Sequence, residues 1–134
     1  MKKILGLLFV ALMCPYTAFG ASLPYHPSTE RIKDFITSTA MSEGVSVQLA
    51  LSVAEAESQF DPLAKNASSS AEGLYQFVKS SWKYFCEDKY KIADTDSEIT
   101  DYKTATLCAV RLISDGGISN WSASEAKWKP FSES

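Results

Sequence analysis

Apolar residues recur at intervals of three and four along most of the chain, which is the spacing of one face of a helix. The first such segment, residues 28–44, begins with Ser28 or Thr29 as a helix cap and ends at Gly44. Its apolar positions are Ile32, Phe35, Ile36 and Ala40. This pattern predicts a helix with one buried face.

Four later segments also have helical patterns: residues 46–58, 80–90 and 100–117, and a last element marked by the capping-box pair Ser122 and Glu125. Ser80 or Ser81 is the expected N-terminal cap of the segment 80–90. Residues 60–73, which are rich in Ser, Asp, Asn and Pro, are predicted to form a loop. Because no segment alternates between apolar and polar residues as a strand does, the expected fold is a small, all-α single domain.

The N-terminal residues have the pattern of a signal peptide. Two lysines precede an apolar run over residues 4–13, and Ala18 and Gly20 are small residues of the kind that a signal peptidase recognises. The run is too short to cross a bilayer, which needs about 20 residues. We therefore expect residues 1–20 to be removed and the chain to act outside the cytoplasm, in the periplasm or beyond, as one domain over residues 21–134.

Charge and histidine content exclude several classes of function. The formal net charge of the 134 residues is −3, and an acidic surface argues against nucleic acid and anionic membranes as partners. His26 is the only histidine and lies in a proline-flanked arm. Neither a metal nor another cofactor is therefore expected.

Cysteine usage changes the picture once export is assumed. Cys14 would leave with the signal peptide, and Cys86 and Cys108 would remain. Two cysteines in a small exported domain more often pair than stay free, so we expect a disulfide between them. The alternative is a pair of buried free thiols.

Two glutamates one residue apart, Glu55 and Glu57, lie in the apolar segment 46–58. With about 100° of rotation per residue, Glu57 falls near the middle of the apolar arc and Glu55 falls outside it. A carboxyl group in an apolar setting binds its proton more tightly, as a general acid requires. The alternative is that the helix ends near Ala56 and that Glu57 points to solvent.

The stretch "ALSVAEAESQFDPLAKNASSSAEGLYQF" resembles the core of the lysozyme-like lytic transglycosylases of the soluble type, which are related to goose-type lysozymes. The resemblance rests on Glu57-Ser58 at the end of an apolar helix, on the step "FDPLA" and on "GLYQF" after a serine-rich turn. It covers about thirty residues tightly. Members of this family cleave peptidoglycan glycan strands between N-acetylmuramic acid and N-acetylglucosamine.

The resemblance implies that Glu57 is the catalytic acid and then the base, and that the product carries an anhydro ring. It also implies that three residues bind substrate: Gln76, which would hydrogen-bond it, Tyr75, which would pack against a sugar ring, and Ser58. Two alternatives remain open: Gln76 could bind nearby backbone groups, and Ser58 could either contact Glu57 or end the helix. Trp121 and Trp128 share a helical face and could line the cleft, although core packing is their commoner role.

One departure from the family is a missing tyrosine late in the domain, where many relatives have "AYN" and this chain has "ISNW". Asn120 could occupy that corner. A hydrolase would need a second acid, for which Asp61 and Glu72 are the candidates. The alternative for Asp61 is a structural role in a turn, and the alternative for Glu72 is a solvated position in the loop. A glycan-binding module without activity is the third interpretation. The sequence leaves two biological roles open: recycling of the wall, or local opening of the wall for a secretion, conjugation or pilus apparatus. The protein is expected to be a monomer.

Overall fold

The computed structural model describes residues 25–132, so the expected signal peptide and Cys14 lie outside the described residues. Five helices follow one another: α1 Thr29–Glu43, α2 Val47–Ser58, α3, α4 Tyr102–Ser114 and α5 Glu125–Trp128. Helix α3 opens with the α-helical turn Lys79–Ser81 and continues as the π-helical segment Trp82–Lys89. Between residues 25 and 132 there is no β-strand, and the predicted all-α class is confirmed.

Short 3₁₀ segments fill the spaces between the later helices. They span Asp96–Thr100, Ile118–Ser124 and Lys129–Phe131. None of these three was predicted from the sequence, because an apolar pattern over three to seven residues is too short to show a period.

Local hydrogen bonds explain where the first two helices begin and end. Ser28 accepts from the backbone N–H of Arg31, and Gly44 ends α1 in the left-handed conformation at φ 67°. Ser46 caps α2 by accepting from Leu49 N–H, and Gln59 ends it with φ 53°. The predicted bounds of both helices are thus confirmed to within a residue or two.

Two predicted caps are wrong. Helix α3 begins at Lys79, and neither Ser80 nor Ser81 caps it, because the chain already turns after the extended residue Val78. Ser122 does not form a capping box with Glu125, since it lies inside the 3₁₀ segment Ile118–Ser124 and is exposed. A capping-box spacing has no effect when the first residue is already helical.

Helix α2 lies at the centre of the packing. It contacts α1, α5 and both of the last two 3₁₀ segments, while α1 also packs against α4. The core-facing side of α2 is formed by Leu49, Ala50, Val53 and Ala54. Trp121 and Trp128 are 5% and 4% exposed, so both pack in the core as the commoner alternative predicted.

Cys86 and Cys108 form a disulfide that joins α3 to α4. The predicted pairing is confirmed, and both cysteines are fully buried. In the part of the chain that the structure describes, no helix is long and apolar enough to cross a membrane.

Candidate active site

The two glutamates of α2 face different environments. Glu55 is exposed, whereas Glu57 is half-buried near the C-terminal end of the helix. The helix continues to Ser58, so it does not end before Glu57. The prediction that Glu57 turns inward and Glu55 turns to water is therefore confirmed.

A serine contacts the Glu57 carboxyl group from the far end of the chain. The hydroxyl of Ser124, which is the last residue of the 3₁₀ segment Ile118–Ser124, donates to Glu57 Oε1 at 2.5 Å. No hydrogen bond to Glu57 Oε2 is found among residues 25–132, and Oε2 is not a buried atom without a partner. One carboxyl oxygen is thus held by the protein, and the other is open to solvent or substrate.

Burial raises the pKa of Glu57 above its ordinary value of 4.5, because the charged form loses its hydration. The hydrogen bond from Ser124 and the positive charge of Lys127 act in the opposite direction and lower this pKa. Burial has the largest effect, so the net direction is upward. A carboxyl group with this balance keeps its proton at higher pH than a solvated glutamate does.

The segment that carries Ser124 is fixed by indole hydrogen bonds. Trp128 Nε1 donates to the carbonyl of Trp121 at 3.0 Å, and Trp121 Nε1 donates to the carbonyl of Tyr75 at 2.8 Å. Tyr75 in turn donates its hydroxyl to the carbonyl of Ala50 in α2, at 3.0 Å. These bonds tie the C-terminal segment to the loop after residue 73 and to the helix of Glu57.

The expected contact between Tyr75 and a sugar ring is wrong for this conformation, because the side chain is 0% exposed. Its ring packs edge-on against Trp121, with 6.1 Å between the ring centroids. Burial also raises the pKa of its phenol, so the hydroxyl remains a donor to Ala50. Tyr75 therefore joins α2 to the C-terminal segment within the core.

Ser58 does not contact Glu57 through a hydrogen bond. Its hydroxyl lies 2.7 Å from the carbonyl of Leu74 and 3.1 Å from that of Ala54. It therefore joins the end of α2 to the "GLYQF" loop, which is the structural alternative, and its assignment to substrate binding has no support in these contacts.

Gln76 is half-buried and has φ 52°, a left-handed conformation that is uncommon for residues other than glycine. Its amide nitrogen donates to the carbonyls of Ala64 and Gly73, at 3.0 and 2.9 Å. These bonds match the alternative in which Gln76 binds nearby backbone groups. Its Oε1 has no partner among the described residues and is not buried, so an acceptor remains available for a substrate N–H or O–H.

The two further acidic candidates have other partners. Asp61 accepts from Leu63 N–H at 2.9 Å, which is the predicted turn role. Glu72 forms an ion pair with Lys65 at 3.5 Å. Neither acid is among the groups that shift the pKa of Glu57. Residues 25–132 also contain no group of three or more His, Cys, Asp or Glu that could hold a metal ion.

A groove of about 750 Å³ runs along the side of α2 that carries Glu55. Glu55 lines it, together with Lys33, Phe60 and Lys127, whereas Glu57 does not. The burial and the hydrogen bond of Glu57 are the features that mark a group fitted for proton transfer.

Two residues of the site were missed in the sequence, Ser124 and Lys127. Asn120, which the sequence offered as one occupant of the corner of the missing tyrosine, is exposed and donates to the carbonyl of Gly117. Ser124 lies 67 positions from Glu57, and no motif in the sequence connects them. The "WSAS" step contains Ser124, but it gives no sign of which serine turns inward.

Comparison with known proteins identifies the family of this chain. Residues 34–116, more than half of the chain, match the model of a family described as "Transglycosylase SLT domain". The chain is also similar to "Probable transglycosylase SceD" of Staphylococcus haemolyticus (strain JCSC1435), at 38% identity over 69 residues. This similarity covers 52% of the chain and 28% of the relative, so the chain spans less than a third of that protein's length. Ser124 and Lys127 lie outside the region that matches the family.

Proposed function

We propose that this chain, which belongs to the transglycosylase SLT domain family, is a lytic transglycosylase that acts on peptidoglycan. It would cleave the bond between N-acetylmuramic acid and N-acetylglucosamine and leave anhydro-muramyl ends. The observation that carries this proposal is the Glu57 carboxyl group, which has a raised pKa, one oxygen held by Ser124 and the other open.

One carboxyl group can perform both steps of such a reaction. Protonated Glu57 gives its proton from Oε2 to the departing glycosidic oxygen, and the substrate's own acetamido group stabilises the positive charge at the anomeric carbon. The Glu57 carboxylate then takes the proton of the muramyl primary hydroxyl, whose oxygen closes the anhydro ring. Glu57 is then protonated again, and no water is consumed.

The surroundings of Glu57 favour this reaction over hydrolysis. Glycosidases that use water or a protein nucleophile ordinarily need a second carboxylate near the first. Asp61 and Glu72, the acids that follow Glu57 in the loop between α2 and α3, are engaged in a turn and in an ion pair. Substrate assistance is the chemistry that a single carboxyl group supports.

Gln76 Oε1 is the protein atom that we assign to substrate binding beside Glu57, as an acceptor. The protein would act outside the cytoplasm after removal of residues 1–20, as a monomer and without a cofactor. Local remodelling of the wall, for recycling or for a secretion, conjugation or pilus apparatus, is the role that we propose.

Mass spectrometry of the products tests the proposal. Purified protein with residues 21–134 is incubated with purified sacculi, and the released muropeptides are weighed. A lytic transglycosylase gives products that lack one water relative to those of a muramidase, and a chelator leaves their yield unchanged. Products with reducing ends would instead show a hydrolase. Binding to glycan strands without any release would show a module that binds but does not cut.

A further inference from the structure

Ser124 lies outside the region that matches the family, and its hydroxyl is close to two acceptor oxygens. Its hydroxyl lies 2.5 Å from Glu57 Oε1 and 3.2 Å from the carbonyl of Trp121. A serine hydroxyl has one hydrogen and can donate to only one of these oxygens at a time. The Trp121 carbonyl already accepts from Trp128 Nε1, so the shorter contact to Glu57 is favoured.

We infer that Ser124 is a positioning residue, which donates to Glu57 Oε1 and thereby keeps the transferable proton on Oε2. This inference rests on the proposed function. When Glu57 is protonated, Oε1 accepts the hydrogen bond from Ser124, so the hydrogen of the carboxyl group lies on Oε2. Oε2 is also the oxygen without a protein partner among residues 25–132, and is therefore the one that a substrate can reach.

The same bond serves the second step. After proton donation, the carboxylate retains a donor at Oε1, and a hydrogen bond to a charged group is stronger than one between neutral groups. Of the described charged groups, Lys127 is the one whose field also acts on Glu57. Ser124 and Lys127 together limit how far burial disfavours the ionised form that acts as the base.

The rigid mounting of Ser124 supports a positioning role. Trp121 is 5% exposed and has a non-helical backbone conformation, φ −108° and ψ 29°, inside its 3₁₀ segment. This kink precedes Ser124 by three residues. The indole bonds of Trp121 and Trp128 fix the backbone on either side, so the serine approaches Glu57 from a fixed direction.

Four variants test the inference: Ser124→Ala, Ser124→Cys, Ser124→Thr and the control Ser122→Ala, which changes an exposed serine of the same segment. Ser124→Ala should lower kcat by roughly tenfold to a hundredfold, with KM nearly unchanged. The pH at which activity falls on the alkaline side should move upward, because the donor that favours the ionised form is lost. Ser124→Thr keeps a hydroxyl and should restore most of both properties.

Ser124→Cys keeps the shape but replaces the hydroxyl with a weak donor, so it should show the same shift even if the alanine variant folds poorly. Wild-type kcat and an unchanged pH profile in both the alanine and the cysteine variants would overturn the inference. Glu57→Gln in the same assay distinguishes failure of the positioning role from failure of the proposed function. If it is inactive while Ser124→Ala is normal, only the positioning role fails; if it remains active, the proposed function itself fails.

Discussion

Two opposing influences act on the proton affinity of Glu57. Burial at the end of α2 disfavours the charged form, while Ser124 and Lys127 favour it. The first step of the proposed reaction needs the protonated form and the second needs the ionised form. A carboxyl group that performs both steps must not be shifted too far in either direction, and the observed contacts provide such a balance.

Lys127→Gln tests the electrostatic part of this balance. Loss of the positive charge should raise the pKa of Glu57 further, so the alkaline fall in activity should move to higher pH. Lys129→Gln is the matched control, because Lys129 lies two residues further along the chain but is paired with Glu125 at 3.0 Å. The measurement is kcat/KM on sacculi between pH 4 and 9. A downward shift, or equal shifts in both variants, would contradict this account.

The helical wheel was sufficient to separate Glu57 from Glu55, because the two positions differ by about 200° on the same helix. Tyr75 was assigned wrongly because the family motif gives a residue type at that position and says nothing of its direction. Its buried hydrogen bond to Ala50 depends on a loop that crosses α2 25 positions away. Contacts between distant segments of this kind are not encoded in local periodicity.

Hydrogen bonds in the loop between α2 and α3 fix the position of Gln76 relative to the end of the helix that carries Glu57. Gly73 N–H donates to the carbonyl of Ala64 at 2.8 Å, and Ser58 joins the helix end to Leu74. Gly73 has φ 85°, and a Cβ atom there would lie 2.2 Å from the carbonyl oxygen of Ile99. This close approach explains why the "GLYQF" step begins with glycine.

Gly73→Ala should therefore destabilise the domain by about 3 kcal/mol or more, from backbone strain and overpacking together. Gly116→Ala is the control, because Gly116 has nearly the same φ, 84°, but open space around the position of a Cβ atom. It should cost about 1–2 kcal/mol. Urea unfolding of the two variants gives the difference, and equal losses would rule out the close approach to Ile99.

The disulfide joins α3 to α4 across 22 positions. Closing a loop of this length stabilises a fold by about 3 kcal/mol in the chain-entropy model. Reduction should therefore lower Tm by on the order of 10 °C. A Cys86→Ala/Cys108→Ala double variant should melt at the lower temperature with or without reductant. No effect of reductant on the wild type, with both thiols found free, would contradict the pairing.

Long helices were predictable because their apolar faces and caps repeat over several turns, as in α1, α2 and α4. Predictions failed where a helix is short or irregular. Trp82–Lys89 is π-helical, and Ile118–Ser124 contains the kink at Trp121, so neither follows the 3.6-residue period. The C-terminal segment is therefore the part of the candidate site that the sequence could not give.

Residues 25–132 form an all-α domain in which α2 packs against α1, α5 and the C-terminal 3₁₀ segments. The family match covers residues 34–116, which include Glu57, but the hydrogen bond from Ser124 and the positive charge of Lys127 act on Glu57 from outside that region. The acidic net charge of −3 weakens attraction to anionic cell walls, which fits local action better than a freely diffusing bacteriolytic role.

The comparison of Glu57→Gln with Glu55→Gln on purified sacculi tests the central claim most directly. Glutamine keeps the shape of the side chain but has no proton to transfer, so Glu57→Gln should abolish release of anhydro-muropeptides while thermal melts show a folded protein. Glu55→Gln changes the exposed glutamate of the same helix and should alter the rate by no more than a few-fold. Loss of cleavage in Glu55→Gln together with activity in Glu57→Gln would contradict the assignment of the catalytic acid.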